Sequence, residues 1–275
     1  MKKRILCMFI GLAVLAGACK NGDSSKKDGE TYRPKDYAFS ILLFPEQSGE
    51  SPGMNLHFSI LDTEKSEKNA SFFNKLLYAG DSPDKYRDRL VENYRKMYRD
   101  AAVSAGISPG EEGRPSFNWE YKETMKAWNP GGGGLVITRD RESYTGGAHG
   151  MSTRQYYVID AEAPGLLGLE DFFPDPRAPE LRRLIYEALR NYDGLAEGRP
   201  LSEGVFFEDE PELSGNFFID EKGLGFHWDP YEIAPYSAGQ IEIALPWGKI
   251  QPLLKHAATE TLVKFGNPLS PGLLK

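Results

Sequence analysis

Two strand-like stretches facing each other across a glycine-rich turn constrain this chain more than any other feature. Residues 135–144 and 154–160 both read as strands. Between them runs Tyr144-Thr145-Gly146-Gly147-Ala148-His149-Gly150. Residues 146–150 would close an antiparallel hairpin. Glycine permits positive φ and close approach of backbones, and a bulky residue there would force the strands apart.

His149 is the one side chain of that turn with chemistry. A loop imidazole framed by glycines can be reached by a ligand, and its charge can change near neutral pH. Nothing nearby supplies a second metal ligand or a nucleophile. His57, His227 and His256 are scattered along the chain, no H-E-x-x-H occurs, and the run from Gly150 through Ser152 meets Arg154 where G-x-S-x-G needs a glycine. The preferred reading is a structural His149, hydrogen-bonded inside the turn; a functional imidazole is the alternative. No cofactor and no metal site is expected.

The chain opens on a different signal. Lys2, Lys3 and Arg4 precede an apolar stretch over 5–15, then Ala16-Gly17-Ala18 and Cys19. That stretch is short for a membrane span. The pattern predicts a lipoprotein signal over 1–18, with Cys19 carrying lipid and anchoring the protein to the membrane. An ordinary secretory signal cut near Ala18 is the alternative. The only other cysteine is Cys7, so the processed domain would hold no disulfide and no cysteine metal site. With no acid among the first eighteen residues, cleavage would remove three positive charges and carry the net charge from −7 to −10. Such acidity disfavours nucleic acid and suits a basic partner. Residues 19–35, rich in Ser, Lys, Asp and Gly, read as a flexible tether.

The remainder alternates strands and helices. Residues 38–44 form an apolar run and predict a buried strand. Leu56, Phe58 and Ile60 alternate with Asn55, His57 and Ser59, which puts His57 on a polar face. A helix is expected over 67–78. A second begins at Ser82-Pro83, with Tyr86, Leu90, Tyr94, Met97 and Ala101 as its stripe. Phe117, Trp119 and Tyr121 mark another strand, and 130–134 a turn. In 135–144, Asp140 and Glu142 share one face and Arg139 and Arg141 the other. This reads as a solvated strand, not a catalytic carboxylate pair. A helical turn is expected over 169–173, then an amphipathic helix from Pro179 to Gly194 and an acidic loop over 204–212. A hairpin over 216–228, a strand around Ile241, Ile243 and Leu245, and a short closing helix complete the pattern.

Four motifs then follow in order: Gly146-Gly147-Ala148-His149-Gly150, Leu169-Glu170-Asp171-Phe172-Phe173, Tyr231-Glu232-Ile233-Ala234-Pro235-Tyr236 with Gly239, and Leu245-Pro246. Their order resembles the extracytoplasmic domain of unknown function found in the lysozyme-sensing anti-sigma factor RsiV and beside the catalytic domain of the peptidoglycan deacetylase PdaC. The resemblance covers roughly 144–254, and the first half is more loosely similar to the companion domain that usually precedes it. It implies an α+β fold of antiparallel sheets with packed helices in two sub-domains, 36–145 and 146–265. The second would be similar to a small subdomain of the heat-shock cognate ATPase. It implies no ATPase, since fold is not function. Neither a sigma-binding segment nor a deacetylase domain is seen, so the resemblance implies an envelope domain that binds protein or glycan.

The turn carrying Gly146, Gly147, His149 and Gly150 is expected to pack against Tyr231, Glu232 and Tyr236 as a clasp, with any cleft beside it. Three functions compete. The first is a non-catalytic lipoprotein binding a basic, lysozyme-like protein or a peptidoglycan-derived ligand. The second is an envelope hydrolase using His149 with a carboxylate such as Glu232. The third is a structural envelope protein.

Overall fold

A computed structural model describes residues 32–46, 51–66, 69–108, 115–129 and 133–266. The signal, Cys19 and most of the expected tether lie outside these residues, as do 130–132 of the expected turn.

Six strands and two helices form the first layers: β1 (Pro34–Leu42), β2 (Gly53–Leu61), α1 (Ala70–Tyr78), α2 (Pro83–Ser104), β3 (Trp119–Trp128), β4 (Gly134–Tyr144), β5 (Met151–Asp160) and the short β6 (Gly165–Leu166). The strands lie in sequence order in one sheet. All neighbours are antiparallel except β2 and β3, which run parallel. The helices α1 and α2 carry the chain across between that parallel pair, as a crossover must. The α+β class holds, with a mixed sheet where antiparallel pairing was expected.

The apolar run over 38–44 does not become a buried strand. β1 is an edge strand that alternates between exposed and half-buried residues. It starts at Pro34, inside the stretch read as a tether.

One face of the sheet packs under α1 and α2. Leu56, Phe58, Tyr121, Met125 and Ile137 meet Phe73, Leu77, Tyr86 and Tyr98 there. Ser82 caps α2 as expected, its hydroxyl accepting from Lys85 N. The buried stripe of α2 is rotated from the expected one: Tyr86, Val91, Tyr98 and Ala102 are inside, and Met97 is 53% exposed. Hydrogen bonding explains the rotation. Tyr98 can bury its ring because its hydroxyl donates to Phe117 O at 2.8 Å, and Tyr86 donates to Glu123. Glu123 itself is fully buried and also accepts from Tyr121 at 2.5 Å. Arg139 Nε lies 3.1 Å from it, and Arg139 also donates to Leu77 O. Arg139 is thus a buried counter-ion and not part of a solvated strand face.

The other face carries a second layer. Its elements are α3 (Leu169–Phe172), α4 (Pro179–Asp193), β7 (Phe217–Ile219), β8 (Gly223–Trp228), β9 (Ile241–Pro246), α5 (Trp247–Ile250) and α6 (Ala258–Val263). β7, β8 and β9 make a three-stranded antiparallel sheet. Val136, Tyr156 and Val158 join Leu181, Ile185, Leu189, Phe226 and Leu245 in its core. Successive residues of β4 and β5 point to opposite faces. These two strands therefore feed both cores, and the expected boundary at 145/146 falls in the turn of their hairpin. The second layer covers only one end of that face. At the other end the polar side chains of β2, β3 and β4 stay open.

Candidate functional site

The β4–β5 turn is built by its glycines. Gly146 and Gly147 have φ of +92° and +97°. A Cβ on Gly146 would stand 2.7 Å from Ser116 O, and one on Gly150 2.7 Å from Ser143 O. Both are closer than real side chains come, so the turn can sit down on the backbone only with glycine there. Tyr144 closes the loop through its hydroxyl to Gly147 O at 3.1 Å.

This turn presents His149 outward to the segment after β8. His149 Nδ1 donates to Gly150 O at 2.9 Å, which leaves Nε2 to accept from the Tyr231 hydroxyl at 3.4 Å. Its ring stacks on Tyr236, with centroids 3.8 Å apart and planes 20° apart. Tyr231 and Tyr236 lie 5.7 Å apart. Buried Ile233 and Ala234 anchor the segment between the two tyrosines. Tyr231 itself is 50% exposed and has φ +74°. Positive φ in an aromatic residue is a costly conformation that its surroundings must impose. Glu232 does not join the cluster; its carboxylate turns back to accept from Asp229 N at 2.6 Å.

Beside the cluster lies an open groove of about 380 Å³ over the uncovered end of the sheet. Registered rows of side chains form its floor: Asn55 beside Glu120, and His57 beside Lys122, which faces Glu142. Lys122 and Glu142 pair at 3.2 Å. Tyr236 stands at its wall. The site thus joins aromatic rings to planar polar groups and small hydroxyls.

A third group joins β5 to β8 and β9, and the sequence reading did not single it out. His227 is fully buried in β8. Its Nδ1 is 3.0 Å from Glu242 and its Nε2 2.9 Å from Asp229. Arg154 Nη1 lies 3.0 Å from Glu242, Arg154 Nε bonds Asp140 at 2.5 Å, and Tyr156 donates to Glu242 at 2.8 Å. Asp140 is therefore committed to an arginine from the next strand and not to solvent. Burial lowers the His227 pKa, but the hydrogen bonds and charges of Asp229 and Glu242 outweigh it, and the net shift is upward. The His227 hydrogen bond, helped by Tyr156 and Arg154 against the cost of burial, holds Glu242 down at about 2. Two cross-strand registers assemble the group, Asp140 opposite Arg154 and His227 opposite Glu242. Those registers are the signal that could have found it.

Among the described residues no cluster of His, Cys, Asp and Glu could hold a metal ion, and no helix is long and apolar enough to cross a membrane.

This chain matches, over residues 170–248, the family described as "Protein of unknown function (DUF3298)". It is 26% identical over 175 residues to the peptidoglycan-N-acetylmuramic acid deacetylase PdaC of Bacillus subtilis, a match covering 62% of this chain and 35% of that protein. The chain thus spans about a third of the length of that relative. A crystal structure of a DUF3298 family member from Bacteroides fragilis shares the fold, with TM-score 0.69 and 20% identity over 85% of this chain and 96% of that one. A DUF3298 protein from Pseudomonas aeruginosa follows at TM-score 0.54, 19% identity and 82% and 95% coverage.

Proposed function

We propose that this protein is a non-catalytic binding domain of the cell envelope whose aromatic cluster and adjoining groove take a peptidoglycan-derived glycan. One observation carries the reading: Tyr236 lines a groove floored by polar side chains, with the His149 ring stacked on it and the half-exposed Tyr231, at positive φ, beside it. Sugars offer exactly two kinds of surface, apolar C–H faces that stack on aromatic rings and hydroxyls that need planar donors and acceptors. The relation to a peptidoglycan deacetylase supports the same class of ligand. A binding role is preferred to hydrolysis because His149 contacts a carbonyl, a phenol and a ring, while Glu232 bonds the backbone of Asp229. An acid–base pair would need the two within hydrogen-bond reach. On this reading Cys19 carries the lipid that holds the domain at the membrane, which mass spectrometry of the mature N-terminus tests.

A second reading, a basic protein partner, has its own support. The formal charge is −7. In the loop over 204–212, buried Phe206 leaves Phe207 54% exposed beside Glu208 and Glu210, and Phe207 N bonds Ile233 O next to Tyr231. Calorimetric titration of the full chain with purified glycan-strand fragments, and separately with lysozyme, distinguishes the two. Saturable glycan binding that Tyr236→Ala removes is the expected result. Lysozyme binding without glycan binding would favour the second reading, and binding of neither would overturn both.

A further inference from the structure

We propose that His227 is the positioning residue of this site: as an imidazolium it ties together the two segments that build the aromatic cluster, so that ligand affinity there falls as the ring loses its proton. The inference rests on the reading of the cluster as a binding site.

The chemistry begins with the two ring nitrogens. Each faces a carboxylate oxygen, at 3.0 Å and 2.9 Å, inside a fully buried side chain. An ionised carboxylate only accepts hydrogen bonds, so both nitrogens must donate, and only the cation has two N–H groups. A neutral ring would turn a lone pair on one of the carboxylates. The surrounding charges agree. Asp229 follows β8, Glu242 comes from β9, the Arg154 guanidinium and the Tyr156 hydroxyl from β5, and Asp140 from β4. β7 contributes only Phe217, Phe218 and Ile219. Two cations thus answer three carboxylates, and deprotonation would leave Arg154 alone against all three.

The position of Asp229 connects this proton to the site. One oxygen, Asp229 Oδ1, accepts from both His227 Nε2 and the backbone N–H of Arg154, the latter at 2.8 Å. Arg154 lies on β5 just beyond the turn that carries His149. Asp229 opens the turn that holds Tyr231 at φ +74°, where Glu232 N donates to Asp229 O and Asp229 N to the Glu232 carboxylate. Both halves of the cluster therefore hang from one carboxylate, and that carboxylate from one imidazolium. Loss of the ring's positive charge weakens the hold on that carboxylate, and loss of the Nε2 proton would remove its hydrogen bond as well, which loosens both.

The test uses imidazole ¹⁵N NMR of the full chain, with titration of glycan-strand fragments across the same pH range. His227 should be doubly protonated at pH 6 and lose a proton at a midpoint above 6.5. The stacked rings of His149 and Tyr236 should shift in that same step. Glycan affinity should fall by about tenfold across it, within the usual range of coupling between sites. In His227→Gln the shared step should vanish from the His149 and Tyr236 signals. If that variant does not fold, Glu242→Gln, which removes the negative charge of one partner, should move the His227 midpoint downward and carry the shared step with it. A neutral His227 at pH 6, or cluster signals that ignore its titration, would overturn the proposal. Absent glycan binding at every pH with the shared step intact would overturn the glycan reading and support the positioning role.

Discussion

His149 lies flat on Tyr236, ring centroids 3.8 Å apart, and the stack is one of the contacts by which a turn of the large sheet meets a loop of the small one. The imidazole is exposed, so the stack is bathed in water and unburied when broken. Exposed aromatic pairs contribute about 0.5–1.5 kcal/mol. His149→Ala should therefore cost about 1 kcal/mol or less and lower the thermal midpoint by roughly 2–4 °C. Scanning calorimetry checks it. A loss several times larger would mean that the turn is a structural keystone and that its exposure has no functional meaning.

Glu123 should behave in the opposite way. It is fully buried, with two tyrosine hydroxyls and Arg139 around it. Removing one partner of a buried ion pair strands the other, which costs about 3–5 kcal/mol. Glu123→Ala should show that loss in urea unfolding. Adding Arg139→Met to it should restore much of that stability, because the buried cation is then gone and Arg141, 3.6 Å from Glu123 but 42% exposed, can turn to water. A double variant as weak as the single one would show that Arg139 gains its stability from Leu77 O alone.

The contrast between these two sites explains what could be read from the sequence. The hairpin, its glycines and the meeting of His149 with the two tyrosines were legible, because turn chemistry and short motifs are local. The charged residues were not. Arg139 and Asp140 are neighbours on β4 and look alike in sequence, yet one is buried under α2 and the other pairs with Arg154 across the sheet. His227 is flanked by Phe226 and Trp228 in a strand buried throughout, where the surrounding pattern marks it only as a histidine in a core. Its partners are set by strand register, and register is a property of pairing, which a reading of isolated stretches does not reach. The parallel pairing of β2 with β3 was hidden for the same reason.

The buried network should give the protein a pH window. Glu242 is held at about 2 against an ordinary 4.5, so its stabilisation is present above 4.5 and lost as pH falls toward 2. His227 is shifted up from 6.5, so its stabilisation is present below 6.5 and lost as pH rises through the higher folded value. The two overlap between 4.5 and 6.5. The gap in thermal midpoint between the wild type and His227→Gln should be widest in that window and shrink on either side. A gap independent of pH would show that the imidazole is packed there as a neutral ring.

Tyr231 offers the sharpest separation of stability from binding. Its φ of +74° is a conformation that glycine adopts freely and a tyrosine only under constraint, at a cost on the order of 1–2 kcal/mol. Its ring is half exposed and buries little in return. Its backbone N–H bonds Ala234 O, a contact that survives any substitution except proline. Tyr231→Gly relieves the strain and keeps that bond, though glycine also gives the unfolded chain more freedom, worth about 0.4–1 kcal/mol against it. The net change in stability should lie near zero or be slightly positive. Glycan affinity, on the other hand, should fall sharply, because the ring is then gone from the cluster. Tyr231→Phe should keep most of the affinity if stacking dominates, and lose it if the hydroxyl near His149 Nε2 is what the ligand reads. Denaturation and titration of both variants measure the two quantities separately. A tyrosine whose removal weakens the fold and leaves binding untouched would place the strain in the architecture, and the ligand would have to be sought along the groove floor, at Asn55, Glu120 and Lys122.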